Sequence, residues 1–147
     1  MGHDCGGASA AYSADVARIV TGSLDKTAKR WDAKTGHELF TLIGHRGWIN
    51  SVAWSPNGAR IVTASEDRTA RIWDTKTGRE LFTLVGHTAA VTSAAWSSDG
   101  DRIVTASAAN AARIWDTELG RELITPIGHT DAGTSVASSA NGDRTAT

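Results

Sequence analysis

A chain of 147 residues with 40% hydrophobic and 21% charged residues lies in the range of folded globular proteins and reads as neither disordered nor membrane-like. A net charge of −1 gives no general pull toward a polyanion, and basic and aromatic residues are barely interleaved outside the Trp48 region, so nucleic acid is excluded as the expected partner. Cys5 is the single cysteine, which rules out an internal disulfide or a cysteine metal cluster, and no run approaches the roughly 18 apolar residues of a membrane helix. The expectation is a cytoplasmic protein with no cofactor and no membrane partner.

Met1-Gly2 could suggest N-terminal acylation, but Gly6 stands where that signal needs Ser or Thr, and Met1 to Ala10 has no basic-then-apolar leader pattern. His3, Asp4 and Cys5 could loosely hold a metal; a frayed terminus is the favoured reading. Gly2-His3 is also the first of four such pairs, with Gly44-His45, Gly86-His87 and Gly128-His129, at a constant step of 42 residues. Trp31-Asp32, Trp73-Asp74 and Trp115-Asp116 keep the same step. A period of this length means stacked units, none of which can bury its apolar face alone. The boundaries are 1–43, 44–85, 86–127 and a partial 128–147. Net charge is positive over 44–85 and negative over 86–127, a difference best read as solvated surface.

In the first unit, residues 5–11 are small or polar where the second has Gly47 to Ala53. Tyr12 stands in for Trp54 and Trp96, and Ala14-Asp15-Val16 for Pro56-Asn57-Gly58. The second unit spells four strands. Trp48 to Trp54 ends at the turn Ser55-Pro56-Asn57-Gly58, whose Pro and Gly fix angles that a strand cannot follow. Ala59 to Ala64 and Thr69 to Asp74 form a hairpin around Glu66-Asp67-Arg68. After Thr75-Lys76-Thr77-Gly78, Glu80 to Val85 carries apolar residues on both faces and is expected to be buried on both sides. In the third unit, alanine-rich Ser107 to Ala112 falls in the register of the hairpin turn and reads as strand and turn. The last stretch returns two strands, with Ser138 replacing the tryptophan and Thr145-Ala146 replacing Ile-Val.

The succession Gly-His, Ser-Pro-Asn-Gly, Ser-x-Asp-x-Thr and Ile-Trp-Asp resembles the WD40 repeat of β-propeller proteins, over essentially the whole chain. The resemblance implies an all-β fold: a partial propeller of three four-stranded antiparallel blades plus a two-stranded remnant. His, Thr and Asp together could suggest a catalytic relay, but a catalytic constellation is assembled once. Here His3, Thr21, Asp25 and Trp31 match His45, Thr63, Asp67 and Trp73. The resemblance assigns them to structural tetrads, in which a buried indole, hydroxyl, imidazole and carboxylate satisfy one another. Ser65 is an alternative to Thr63 as the hydroxyl. The third set keeps His87, Thr105 and Trp115 but has Ala109 in place of the acid, so one buried donor is expected to lack its acceptor. His37, which does not recur, reads as a surface turn residue, and no catalytic residue is assigned.

Three blades and a fragment cannot close a ring of the usual four to eight blades. Each end of the array is therefore expected to expose an apolar patch. Two solutions stand: a homodimer in which each chain contributes three blades to a ring of six, or a truncated or relic piece of a larger multidomain protein with a regulatory or sensor role. The resemblance implies a non-catalytic scaffold that binds protein or peptide on its upper rim. The residues following Gly44-His45 fall there: Arg46, Trp48 and Asn50, with Trp and Arg the types that dominate binding hot spots. The competing reading packs Trp48 against a neighbouring blade.

Overall fold

The computed structural model describes residues 2–124 and the strand pair 137–138 and 145–146. Three four-stranded sheets follow one another, each a simple antiparallel meander. The first contains β1 (Gly7–Tyr12), β2 (Arg18–Ser23), β3 (Ala28–Asp32) and β4 (Glu38–Leu42). The second contains β5 (Ile49–Trp54), β6 (Arg60–Ser65), β7 (Ala70–Asp74) and β8 (Glu80–Leu84), and the third β9 (Val91–Trp96), β10 (Arg102–Ser107), β11 (Ala111–Asp116) and β12 (Glu122–Ile124). β13 (Ala137–Ser138) and β14 (Thr145–Ala146) pair with each other. The described residues contain no helix, and the alanine-rich stretch at 107–112 is indeed strand, turn and strand.

The turns explain why the strands stop. Between β5 and β6, the Ser55 hydroxyl donates to Asn57 Oδ1 at 2.8 Å, that oxygen accepts from the Ala59 amide at 3.0 Å, and Gly58 sits at φ 71°. Between β7 and β8 the Asp74 carboxylate accepts from the Lys76 amide at 2.7 Å, a local bond that competes with strand continuation. In the first repeat the position of Gly58 is taken by Val16 at φ 58°, a conformation that a β-branched residue rarely adopts.

The core lies between the sheets. Val20, Ala28 and Leu42 of the first sheet pack on Ile49, Val52, Trp54, Ile61 and Trp73 of the second. Val62, Ala64, Ala70, Ile72 and Leu84 repeat that surface against Val91, Ala94, Ile103 and Trp115 of the third. Each fully buried Ile or Leu contributes about 1.5–3 kcal/mol. Polar bonds fix the alignment: the Trp54 indole donates to the Ala11 carbonyl at 3.1 Å, and the Trp96 indole to the Ala53 carbonyl at 3.3 Å. Gly22 allows the first close approach, because a Cβ there would lie 2.5 Å from Ile49 Cγ2.

Two expectations need correction. β8 is buried on one side only: Phe82 and Leu84 face inward while Leu81, Thr83 and Val85 are exposed, and β4 and β12 likewise expose Leu39 and Leu123. The sheets meet mainly along their inner strands, β1 and β2 with β5 and β5 and β6 with β9, and diverge toward these outer ones. Nor does each end of the array expose an apolar patch. Val104, Ala106 and Ala112 on the far side of the third sheet are buried, and β13 lies beside β9. The opposite side of the first sheet is the open one, with Tyr12 61% exposed and Gly7 and Ala10 in the places of Ile49 and Val52.

Candidate functional site

Each repeat brings its recurring polar residues together across the upper end of the sheet. The Trp31, Trp73 and Trp115 indoles each donate at 2.9 Å to the hydroxyl of Thr21, Thr63 or Thr105, which lies directly across the ladder from the following strand's arginine or lysine. The same hydroxyls lie 2.7, 2.6 and 2.6 Å from Nε2 of His3, His45 and His87. An indole N–H can only donate, so each threonine hydroxyl accepts from it. Where Nδ1 faces a carboxylate, which can only accept, a neutral imidazole carries its proton on Nδ1 and accepts from the threonine hydroxyl at Nε2. Thr63, not Ser65, is the hydroxyl of the second set; Ser65 Oγ donates to the Gly47 carbonyl and accepts from the Asp67 amide.

In the first two repeats the chain ends on a carboxylate. His3 Nδ1 lies 2.9 Å from Asp25 Oδ2, and His45 Nδ1 lies 2.8 Å from Asp67 Oδ2. The amides of Asp4 and Arg46 donate to the same oxygens at 3.1 and 3.0 Å. Thr27 and Thr69 donate to the other carboxylate oxygen through amide and hydroxyl. Burial pushes Asp25 up, but the bonds from Thr27, His3 and the Asp4 amide outweigh it and hold the carboxyl down to about 2. Burial likewise opposes ionisation of Asp67, and the bonds from His45, Thr69 and the Arg46 amide overcome it.

In the third repeat the chain stops early. Ala109 takes the place of Asp67, and His87 Nδ1 is buried with no hydrogen-bond partner. Burial, with the nearby Arg113 guanidinium adding to it, lowers the His87 pKa to about 4. Each array ties together the strands and turns of its own repeat, and Thr63 and Thr105 are fully buried, so neither of these two hydroxyls is placed to attack a substrate. Among the described residues, no group of three or more His, Cys, Asp and Glu side chains could hold a metal ion. His37 is exposed in the β3–β4 turn.

The three rim residues separate. Asn50 is half-buried, and its side-chain amide donates to Glu66 Oε1 at 3.2 Å and to the Val91 carbonyl at 3.1 Å. It ties β5 to β9 and braces Glu66. Trp48 is 52% exposed, so it is not buried between the sheets. Arg46 is exposed beside it. Both line a pocket of about 280 Å³ together with Gly47, Lys26 of the β2–β3 turn and Glu66 of the β6–β7 turn. Sequence reasoning missed Lys26 and Glu66. A signal was present for Lys26, since it and Arg68 occupy the same place after Asp25 and Asp67; Glu66 came to the pocket only through the pairing of the turns.

The family model described as WD domain, G-beta repeat matches residues 1–32, 36–74 and 78–116. Over 46 residues the chain is 50% identical to nuclear distribution protein PAC1-2 of Postia placenta (strain ATCC 44394 / Madison 698-R), a stretch amounting to 31% of this chain and 11% of that protein. The chain thus spans a small part of that relative's length. Each matched stretch contains one Trp-Asp pair and closes at it, and together the three stretches cover most of the three complete sheets, so the chain belongs to the WD40 repeat family.

Proposed function

We propose that this chain is a non-catalytic scaffold that binds a protein or peptide on the rim carrying Arg46 and Trp48, and that it completes a ring by pairing with a second copy. Repeats of this family imply a protein-interaction scaffold. One observation carries the choice of rim: Trp48, a large aromatic residue, is 52% exposed beside a pocket whose walls are held by hydrogen-bonded turns. An exposed Trp on a rigid platform loses little conformational freedom when covered, which is why such residues anchor interfaces. Panning a displayed peptide library against the purified chain tests this reading. Binders should be lost on Trp48→Ala while the melting temperature stays within about 2 °C, as expected for an exposed residue. Binders that survive Trp48→Ala and Arg46→Ala alike would place the contact elsewhere.

The second copy seats on the open side of the first sheet. Ile19 and Trp31 are only half-buried there, whereas their counterparts Ile61, Trp73, Ile103 and Trp115 are buried by the preceding sheet. A further sheet of the same kind would cover them. The 11% share of the longer PAC1-2 protein favours a second reading, in which these repeats are a piece of a larger multidomain WD40 protein with a regulatory or sensor role.

A further inference from the structure

Backbone bonds fix the pocket beside Trp48. Three consecutive residues of its lining are pinned: the Arg46 amide donates to Asp67 Oδ2 at 3.0 Å, the Gly47 carbonyl accepts from Ser65 Oγ at 3.1 Å, and the Trp48 carbonyl accepts from the Glu66 amide at 2.9 Å. A Cβ at residue 47 would lie 2.8 Å from the Asp67 amide nitrogen, so glycine is needed there. From the first repeat, the Lys26 amide donates to the Ser23 carbonyl at 3.3 Å, with Lys26 at φ 74°. The charged side chains of the lining differ in what they meet. Glu66 Oε1 accepts from the Asn50 side-chain amide at 3.2 Å. Among the described residues, neither the Lys26 ammonium nor the Arg46 guanidinium has a carboxylate within ion-pair distance, whereas Lys29, Arg71 and Arg113 on the sheets are each ion-paired.

We infer that this pocket takes an acidic side chain of a partner protein, its carboxylate paired with Lys26 and Arg46 and the apolar residue next to it laid on the Trp48 ring. This rests on the rim being the contact surface, and it specifies what that surface selects. Two cations against the single carboxylate of Glu66 leave the lining with one positive charge, the sign that draws a carboxylate. Asp25 and Asp67 lie in the same turns but offer nothing to an arriving cation. Each already accepts four hydrogen bonds, which fill the roughly four lone-pair sites of a carboxylate. A volume of about 280 Å³ falls below the roughly 300–1,000 Å³ of sites for drug-sized molecules, which suits a side chain better than a cofactor. The junction one repeat on lacks these means. Arg68, Thr88 and Ala90 stand there in the places of Lys26, Arg46 and Trp48, so the ring and one of the two cations are gone.

The test is the composition of peptides that the full chain selects from a displayed random library, followed by fluorescence anisotropy on those peptides. Selected sequences should be enriched in Asp or Glu beside a large apolar residue. Exchanging the peptide's carboxylate for its amide should weaken binding at least about threefold, within the range of two exposed ion pairs. Lys26→Gln combined with Arg46→Gln should cost the acidic peptide the same factor and leave the amide peptide unaffected. Added salt should weaken the acidic peptide alone. The melting temperature of the double variant should stay within about 2 °C, since both side chains are exposed. Selection of basic or neutral sequences, or an acidic preference that survives the double substitution, overturns the inference; where Trp48→Ala still abolishes that binding, the rim stands as the contact surface without it. Absence of any binder, or binders indifferent to Trp48→Ala, removes the rim and this inference together.

Discussion

At the scale of single residues, Thr63 holds a demanding position, which Thr105 shares one repeat on. The Thr63 hydroxyl is fully buried and, among the described residues, is the group that meets both the Trp73 indole and His45 Nε2. Thr63→Val keeps the shape and leaves both partners unmet, so it should cost roughly 2–4 kcal/mol, read as a lower urea midpoint with an unchanged slope. Val16 offers the opposite change. A β-branched residue at φ 58° carries strain of about 1–3 kcal/mol, and Val16→Gly should recover about 1 kcal/mol of it after the entropy of the glycine is counted. His87 makes stability depend on pH. Its folded pKa, about 4, lies below the ordinary histidine value, so between about 6.5 and 4 the unfolded chain binds a proton that the folded chain refuses. The contribution is therefore complete above about pH 6.5 and declines on acidification through that window, by at most about 1.4 kcal/mol per pH unit. Denaturant midpoints measured from pH 7 to 4 should show that slope. Ala109→Asp, which gives His87 an anionic partner, should flatten it.

At the scale of elements, the sheets fit each other by matched sizes. Gly22 faces Ile49 and Val52, whereas Ala64, in the same register one sheet on, packs with the smaller pair Val91 and Ala94. Gly22→Ala alone should cost about 1–3 kcal/mol through overpacking, and adding Val52→Ala should restore part of that loss. Additive effects in the double mutant would show that the two positions do not share the space. This matching also explains how far the sequence could be read. The strands were legible because each ends at a turn with its own chemistry, as at Ser55-Pro56-Asn57-Gly58, and the tetrad residues were legible because their spacing recurs. The burial of β8 was not, since apolar residues on both faces of a strand say nothing about whether neighbouring sheets stay parallel or diverge. The bond from Asn50 to the Val91 carbonyl joins two sheets and leaves no local signature in the sequence. Trp48 could be placed only once the turns around Lys26 and Glu66 were in position.

At the scale of the whole molecule, the rim around Trp48 is braced because the first and second repeats each lock their own turns through a polar array that ends on a carboxylate, and the inner strands β1, β5 and β9 lie side by side. Binding energy at Trp48 need not then be offset by ordering the platform. The same construction leaves one side of the first sheet uncovered, with Tyr12, Ile19 and Trp31 only partly buried. Closure by a second copy makes association and folding stability interdependent, so the melting temperature should rise with protein concentration. Tyr12→Arg, at an exposed site, should weaken pairing more than it disturbs the sheet. Light-scattering mass across a concentration series measures the pairing directly. The ring-closing arrangement predicts a discrete species of twice the 15.4 kDa chain mass that Tyr12→Arg shifts toward single chains, and a cooperatively melting single chain of 15.4 kDa at every concentration would contradict it.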